Sequence, residues 1–227
     1  MDPITQFDGN FLIGIQHALN ADWLTPVMKV ITAFGEVGNF AIFVCLVLLL
    51  FRETRRLGFI CTLSLLFTFI CCNLVIKPLV GRPRPWELFE AVHNYLPHPG
   101  DASFPSGHTA NTMGPAWAMF MATMPQKVGN DDRGKTIRSY DAVTCLGWKG
   151  EGAGPEMMHI LSVMFIVIAL MVGLSRLYLG MHFPTDVLCA LLLGMTCATI
   201  VLTLFERAEK KYGVFGSGSK KQESKNE

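Results

Sequence analysis

The sequence has little charge. Only 16% of its 227 residues are Asp, Glu, Lys or Arg, against 51% that are apolar, a balance too greasy for an ordinary soluble domain. It also lacks an excess of one sign. The 19 Lys and Arg oppose 18 Asp and Glu for a formal net charge of +1, so no global basic field exists to hold a nucleic-acid backbone, and nucleic acid is not an expected partner. There is no C-x-x-C pair with metal-ligand spacing. Cys45, Cys61, Cys71, Cys72, Cys189 and Cys197 lie inside apolar stretches and read as small hydrophobes, with Cys145 alone in a polar one. No internal repeat and no Walker, Rossmann or EF-hand pattern is present. A collagen, a coiled coil and a disulfide-rich secreted module are excluded, which leaves an integral membrane protein.

Long apolar runs are what the chain does have. Leu57–Ile76 contains no charge, and at about 1.5 Å per residue it matches a hydrocarbon core of about 30 Å. Val187–Phe205 is a second such run, Ile160–Ser175 a third that needs its flanks, and Thr109–Met124 a fourth. Phe40–Phe51 reaches spanning length by recruiting residues back to Phe34. The expected fold is therefore all-α, an integral membrane helical bundle of about five transmembrane helices. Ahead of them, Phe7, Phe11, Leu12, Ile15 and Leu19 recur at helical spacing, which predicts an N-terminal interfacial helix or, equally, an amphipathic helix packed on the bundle. With no basic run before it and no small-residue cleavage site after it, it does not read as a removable signal peptide. The expected organisation is an amphipathic segment over 1–36, a transmembrane domain over 37–206 with an inner loop at 125–157, and a polar tail over 207–227. Loop and tail mix Gly, Ser, Asp, Lys and Glu without periodicity.

Lys and Arg set the orientation. Arg52, Arg55 and Arg56 mark one inside loop. With five alternating spans, Lys127, Arg133, Lys135, Arg138 and Lys149, then Arg207, Lys210, Lys211, Lys220, Lys221 and Lys225, fall on the same side. The Lys77–Pro105 loop and the turn around His182 face outward, at the plasma membrane if the cell is bacterial.

Three polar clusters stand at these outward boundaries: Lys77 with Arg84-Pro85, then Pro105-Ser106-Gly107-His108, then Ser175-Arg176 with His182 and Asp186. Taken singly, Lys77 and Arg176 read as snorkelling cations, Arg84 as a loop charge and Ser106 as a helix cap. Taken together they are costly, because several desolvated cations on one face need an anion to collect them. Pro105 biases Phe104 to extended geometry, Ser106 suits an N-cap and Gly107 permits close backbone approach, so free N–H groups would greet an anion there. A phosphate suits those donors, the forks of Arg84 and Arg176 and the ammonium of Lys77. Asp186, in the first turn after Pro184, is placed to fix the imidazole of His182, leaving the other ring nitrogen as nucleophile or base and His108 as the acid.

Lys77-x6-Arg84-Pro85, Pro105-Ser106-Gly107-His108 and Ser175-Arg176-x5-His182-x3-Asp186 together resemble the three-part signature of the type 2 phosphatidic acid phosphatase superfamily, shared with vanadium haloperoxidases. The run Lys77–Pro85 looks most like the bacterial branch that dephosphorylates undecaprenyl diphosphate. The resemblance implies that His182 attacks the terminal phosphorus to form a phosphohistidine, with Asp186 holding its ring. His108 protonates the leaving oxygen and later serves as base, while Lys77, Arg84, Arg176, Ser106 and Gly107, with Ser175, neutralise the equatorial oxygens. It implies no cofactor and no metal, and the sequence supplies no carboxylate cluster for one. The partners it implies are a lipid phosphate or diphosphate and the bilayer.

Asp101 is a candidate to orient an arginine. Arg82 reads either as an extra diphosphate contact or as a loop charge. His93 and His98 read as loop residues, His17 and His159 as interfacial ones, and Trp86 and Tyr95 as an aromatic belt. Other readings remain open: a phosphatidate or phosphatidylglycerophosphate phosphatase, a lipid phosphotransferase using the same site, or a non-catalytic component that binds or transports anionic lipids. A haloperoxidase needs no bilayer, and five spans argue against it.

Overall fold

The structure, a computed structural model, describes residues 2–19, 21–124, 126–130, 136–139 and 154–212. Cys145, most of the inner loop and the tail beyond Tyr212 lie outside them. Helix α1 (Pro3–Ala18) starts at Asp2, whose side chain accepts from the Thr5 amide, and α2 (Leu24–Gly35) follows. Gly38, at φ 77°, breaks the chain before α3 (Asn39–Leu50), so that α2 and α3 form a pair bent by 48°. The run expected to reach back to Phe34 is thus two helices with a glycine corner rather than one.

Helix α4 (Arg55–Phe69) passes into a π-helical stretch (Ile70–Ile76) and then into the short α5 (Lys77–Val80). After α6 (Pro85–Leu88) and an irregular loop come α7 (Gly107–Thr123), α8 (Gly154–Tyr178) and α9 (Pro184–Tyr212). The helical class stands. Among the described residues, one departure lies in the inner loop, expected to be irregular, where β1 (Gln126–Asn130) pairs antiparallel with β2 (Thr136–Ser139), Lys127 opposite Arg138 and Asn130 opposite Thr136.

Among the described residues, three segments are long and apolar enough to cross a membrane, Arg55–Leu88, Glu156–Tyr178 and Pro184–Glu209, and the bent α2–α3 pair makes a fourth if its two helices are counted as one span. Helix α7, the remaining expected span, has 17 residues and is buried nearly from end to end. It is the hub of the bundle, packed against α4, α8 and α9. Its Ala116, Ala118, Met119 and Ala122 join Leu57, Ile60, Cys61, Phe165 and Ala198 in the main core. The outer faces carry exposed leucines, valines and phenylalanines, among them Leu46, Leu66, Val167 and Leu192, which is the pattern of helices bathed in lipid rather than water.

Candidate active site

The fold gathers the three polar clusters at one end of the bundle. The end of the α4–α5 segment supplies Lys77, the loop after it Arg84, the start of α7 His108, the end of α8 Arg176, and the α8–α9 turn His182. The π-helical stretch sits directly before Lys77, and such an extra-wide turn changes the angular phase of everything that follows it. Helix α8 ends in a left-handed turn. Gly180, at φ 72°, lets the Met181 amide bond back to the Arg176 carbonyl at 3.0 Å, and a Cβ there would meet the His93 carbonyl oxygen at 2.4 Å. The reversal carries His182 back toward the cations.

Lys77, Arg84, Arg176, His108 and His182 line one cavity of about 670 Å³. Arg84 is 2% exposed. Its Nη1 donates to the Met181 carbonyl at 2.8 Å, its Nε to the Asp101 carbonyl at 3.1 Å and its Nη2 to Asp101 Oδ1 at 2.5 Å, with Trp86 under the guanidinium at 5.4 Å. Asp101 also accepts from Lys77 Nζ at 2.5 Å. It therefore bridges two cations, a wider role than the single arginine expected. Burial resists its ionisation, but the hydrogen bonds and charges of Lys77 and Arg84 outweigh burial and hold the carboxyl at about 2. Arg176 is 3% exposed, and its Nη1 donates to Thr32 Oγ1 of α2 at 2.9 Å while its Nε has no hydrogen-bond partner among the described residues. Helix α2, which falls within the segment expected to be peripheral, also brings Lys29 and Glu36 to the cavity, and His98, expected to be a plain loop residue, lines it too.

His182 is buried, with Nδ1 3.6 Å from Asp186 Oδ2, longer than a hydrogen bond. Ser103, which no sequence motif singled out, explains the gap: its Oγ donates to Asp186 Oδ2 at 2.5 Å and lies 3.5 Å from His182 Nδ1. Burial, then the charges of Arg176 and Arg84, push the imidazole down to about 4 against the pull of Asp186. The imidazole is therefore neutral over the working range.

Three expected phosphate contacts are not on the cavity wall. Ser106 occupies the N-cap position of α7, but its hydroxyl pairs with Thr109 Oγ1 at 3.0 Å rather than with a backbone amide. Gly107 packs under Asn73, whose Oδ1 would lie 2.5 Å from a Cβ built there, so a larger residue would have to push the Asn73 side chain aside. Ser175 donates to the Val172 carbonyl of its own helix at 2.7 Å. Arg82 does not line the cavity either.

Residues 56–210 match the PAP2 superfamily, and the chain belongs to it. It is 29% identical over 147 residues, 65% of the chain and 54% of the relative, to an undecaprenyl-diphosphatase of Sulfolobus acidocaldarius. It is 28% identical over 123 residues, 54% of the chain and 45% of the relative, to undecaprenyl-diphosphatase BcrC of Bacillus subtilis. The chain thus spans about half the length of these curated relatives. Among solved structures, a transmembrane PAP2-type phosphatidylglycerolphosphate phosphatase from Bacillus subtilis superposes with a TM-score of 0.63 at 25% identity, covering 91% of this chain and 88% of that one.

Proposed function

We propose that the chain is a membrane phosphatase that removes the terminal phosphate of an isoprenyl diphosphate of the undecaprenyl type, through a phosphohistidine. The observation that carries this reading is the convergence of Lys77, Arg84, Arg176, His108 and His182 on one cavity at the end of an apolar bundle. Such a site suits an amphiphile whose anionic head reaches in while its tail stays in lipid. The unpartnered Nε of Arg176 is a buried donor waiting for an acceptor, and a phosphate oxygen supplies one. The similarity to two undecaprenyl-diphosphatases supports the choice of substrate.

In this mechanism the neutral His182 attacks phosphorus through Nε2. The N–P bond forms as the bond to the bridging oxygen breaks, and His108 gives that oxygen its proton. Lys77, Arg84 and Arg176 hold the equatorial oxygens, whose charge is what the protein has to stabilise. Water then attacks the phosphohistidine, His108 takes its proton, and the N–P bond breaks to release inorganic phosphate and restore His182. The chain's own cations neutralise the phosphate. The loop Arg52–Arg56 lies at the opposite end of α4 from the cavity, which supports an outward-facing site in a plasma membrane.

A second reading, a phosphatidylglycerophosphate phosphatase, is favoured by the superposition over 91% of the chain. Phosphate release from undecaprenyl diphosphate, phosphatidylglycerophosphate and phosphatidate, by purified detergent-solubilised protein with excess EDTA, separates the two. The expected result is fastest release from the diphosphate, abolished in His182→Ala. Faster release from phosphatidylglycerophosphate selects the second reading. No release by folded wild type overturns both, leaving a phosphotransferase or a lipid-binding component.

A further inference from the structure

Arg82 sits two residues from Arg84 in the same loop, yet it serves the other side of His182. Its Nη1 donates to Asp186 Oδ1 at 2.6 Å and to Thr185 Oγ1 at 2.8 Å, and its Nη2 donates to Asp8 Oδ2 at 2.8 Å and to Thr5 Oγ1 at 3.3 Å. The guanidinium is centred 4.1 Å from the ring of Phe183. Asp8, on α1, is fully buried and also accepts from Thr185 Oγ1. One of its oxygens, Oδ1, has no hydrogen-bond partner among the described residues.

Asp186 is thereby divided between two tasks. Oδ1 is taken by Arg82, which fixes the rotation of the carboxylate. Oδ2 then faces Ser103, the Phe183 amide at 2.9 Å and His182 Nδ1. We propose that Arg82 and Asp8 are positioning residues of the nucleophile, with Asp8 holding Arg82, Arg82 holding Asp186 and Asp186 holding His182, so that α1 belongs to the catalytic apparatus. The inference rests on the phosphatase reading above.

A plain tether for α1 would not be built this way. Leu12 already packs with Val92, Leu177 and Val187, and Gly9 lies so close to Phe89 that a Cβ there would be 2.1 Å from the ring. An apolar residue at position 8 would extend that seam without desolvating a carboxylate, whereas a buried carboxylate with an unpaired oxygen costs stability. What the charge does supply is a field. Two carboxylates share one guanidinium, which leaves net negative charge behind a ring that becomes cationic as its nitrogen bonds to phosphorus. The charged and titratable groups around that ring are Asp186 from α9, Arg176 from α8, His108 from α7 and Arg84 from the loop.

The test uses full-length protein in detergent, farnesyl diphosphate as substrate and inorganic phosphate as inhibitor. Loss of an outer supporting partner costs about 10–100-fold in activity, so Arg82→Met is expected to lose that much kcat, with Arg82→Lys recovering part of it. The inhibition constant of inorganic phosphate stays within about twofold of wild type, because the cavity cations that set it by charge pairing are untouched. The acid limb of kcat/KM supplies a readout that a merely structural role would not move. Removing the Arg82 charge leaves the Asp186 field uncompensated, favours the protonated ring and moves the limb to higher pH. Asp8→Asn removes a negative charge and moves it to lower pH. Should Arg82→Met fail to fold, Arg82→Lys and Asp8→Asn carry the test. Wild-type kcat and an unmoved limb in both overturn the inference, as does an inhibition constant that rises in step with the loss of kcat, which would make Arg82 a phosphate contact. An inactive wild type, or an active His182→Ala, overturns the phosphatase reading and this inference with it.

Discussion

The two sides of His182 carry opposite charge. In front, Lys29, Lys77, Arg84 and Arg176 share the cavity with two carboxylates, Glu36 and the half-exposed Asp101. Behind, one guanidinium, Arg82, is held between two buried carboxylates, Asp8 and Asp186. Among the described residues, the front has an unused donor on Arg176 and the back an unused acceptor on Asp8. The front is therefore built to receive an anion, and the back is built to repel one. In a low-dielectric bundle, where charges are costly unless answered, the proposed phosphatase would by this difference of sign meet phosphate with Arg84 rather than Arg82.

Breaking the front is expected to give the largest effect. Arg176→Met keeps length and apolar stem but removes the fork, and the loss of one preorganised donor at developing charge costs about 10²–10³-fold in kcat. Michaelis–Menten kinetics on farnesyl diphosphate check it, with circular dichroism to confirm folding. A loss no larger than that of Arg82→Met would erase the contrast between the two sides.

How much of this was legible in the sequence follows from the range of the forces involved. The helical framework could be read because uncharged runs of spanning length are local, and the cations and histidines could be read because each motif is compact. The break at Gly38 had its signal in the Gly35-Glu36-Val37-Gly38 run, but apolarity on both sides hid it. Arg82 could not be assigned, because its partners lie 74 and 104 residues away, and no periodicity reaches that far. The same holds for Ser103, which meets Asp186 from 83 residues away. For α1 the apolar stripe left two readings open, an interfacial helix and one packed on the bundle. Phe7 and Phe11 are exposed, while Thr5, Asp8, Gly9 and Leu12 face the protein, because in lipid the polar face turns inward.

The pH profile sharpens the contrast at the ring itself. His182 is depressed from 6.5 to about 4, chiefly by burial and next by the front cations. An imidazole that resists protonation stays a competent nucleophile down to that pH, so the acid limb of kcat/KM is expected near pH 4, with activity falling about tenfold per unit below it. The sign for stability follows. The unfolded chain takes up this proton near 6.5 and the folded chain only near 4, so His182 lowers stability progressively as pH falls from 6.5 to 4. A rate profile and thermal melts over the same buffers measure both, and an acid limb near 6.5 would show that burial and the front cations do not govern the ring.

The smallest effect is expected at Asp101, which joins Lys77 to Arg84 from a half-exposed position. Its carboxyl, held at about 2, is charged at every pH at which the enzyme would work. It occupies donors that a phosphate in the cavity would need, which would make it a weak internal competitor. Asp101→Asn keeps the shape and removes the charge, making the front more positive. Exposed pairs are worth little, so inorganic phosphate is expected to inhibit about two- to fivefold more tightly, with kcat lowered by a similar factor as product leaves more slowly. Product-inhibition kinetics read both quantities from one data set. Weaker inhibition would mean that Asp101 acts mainly by aligning the two cations, and that the front, like the back, depends on a carboxylate for its geometry.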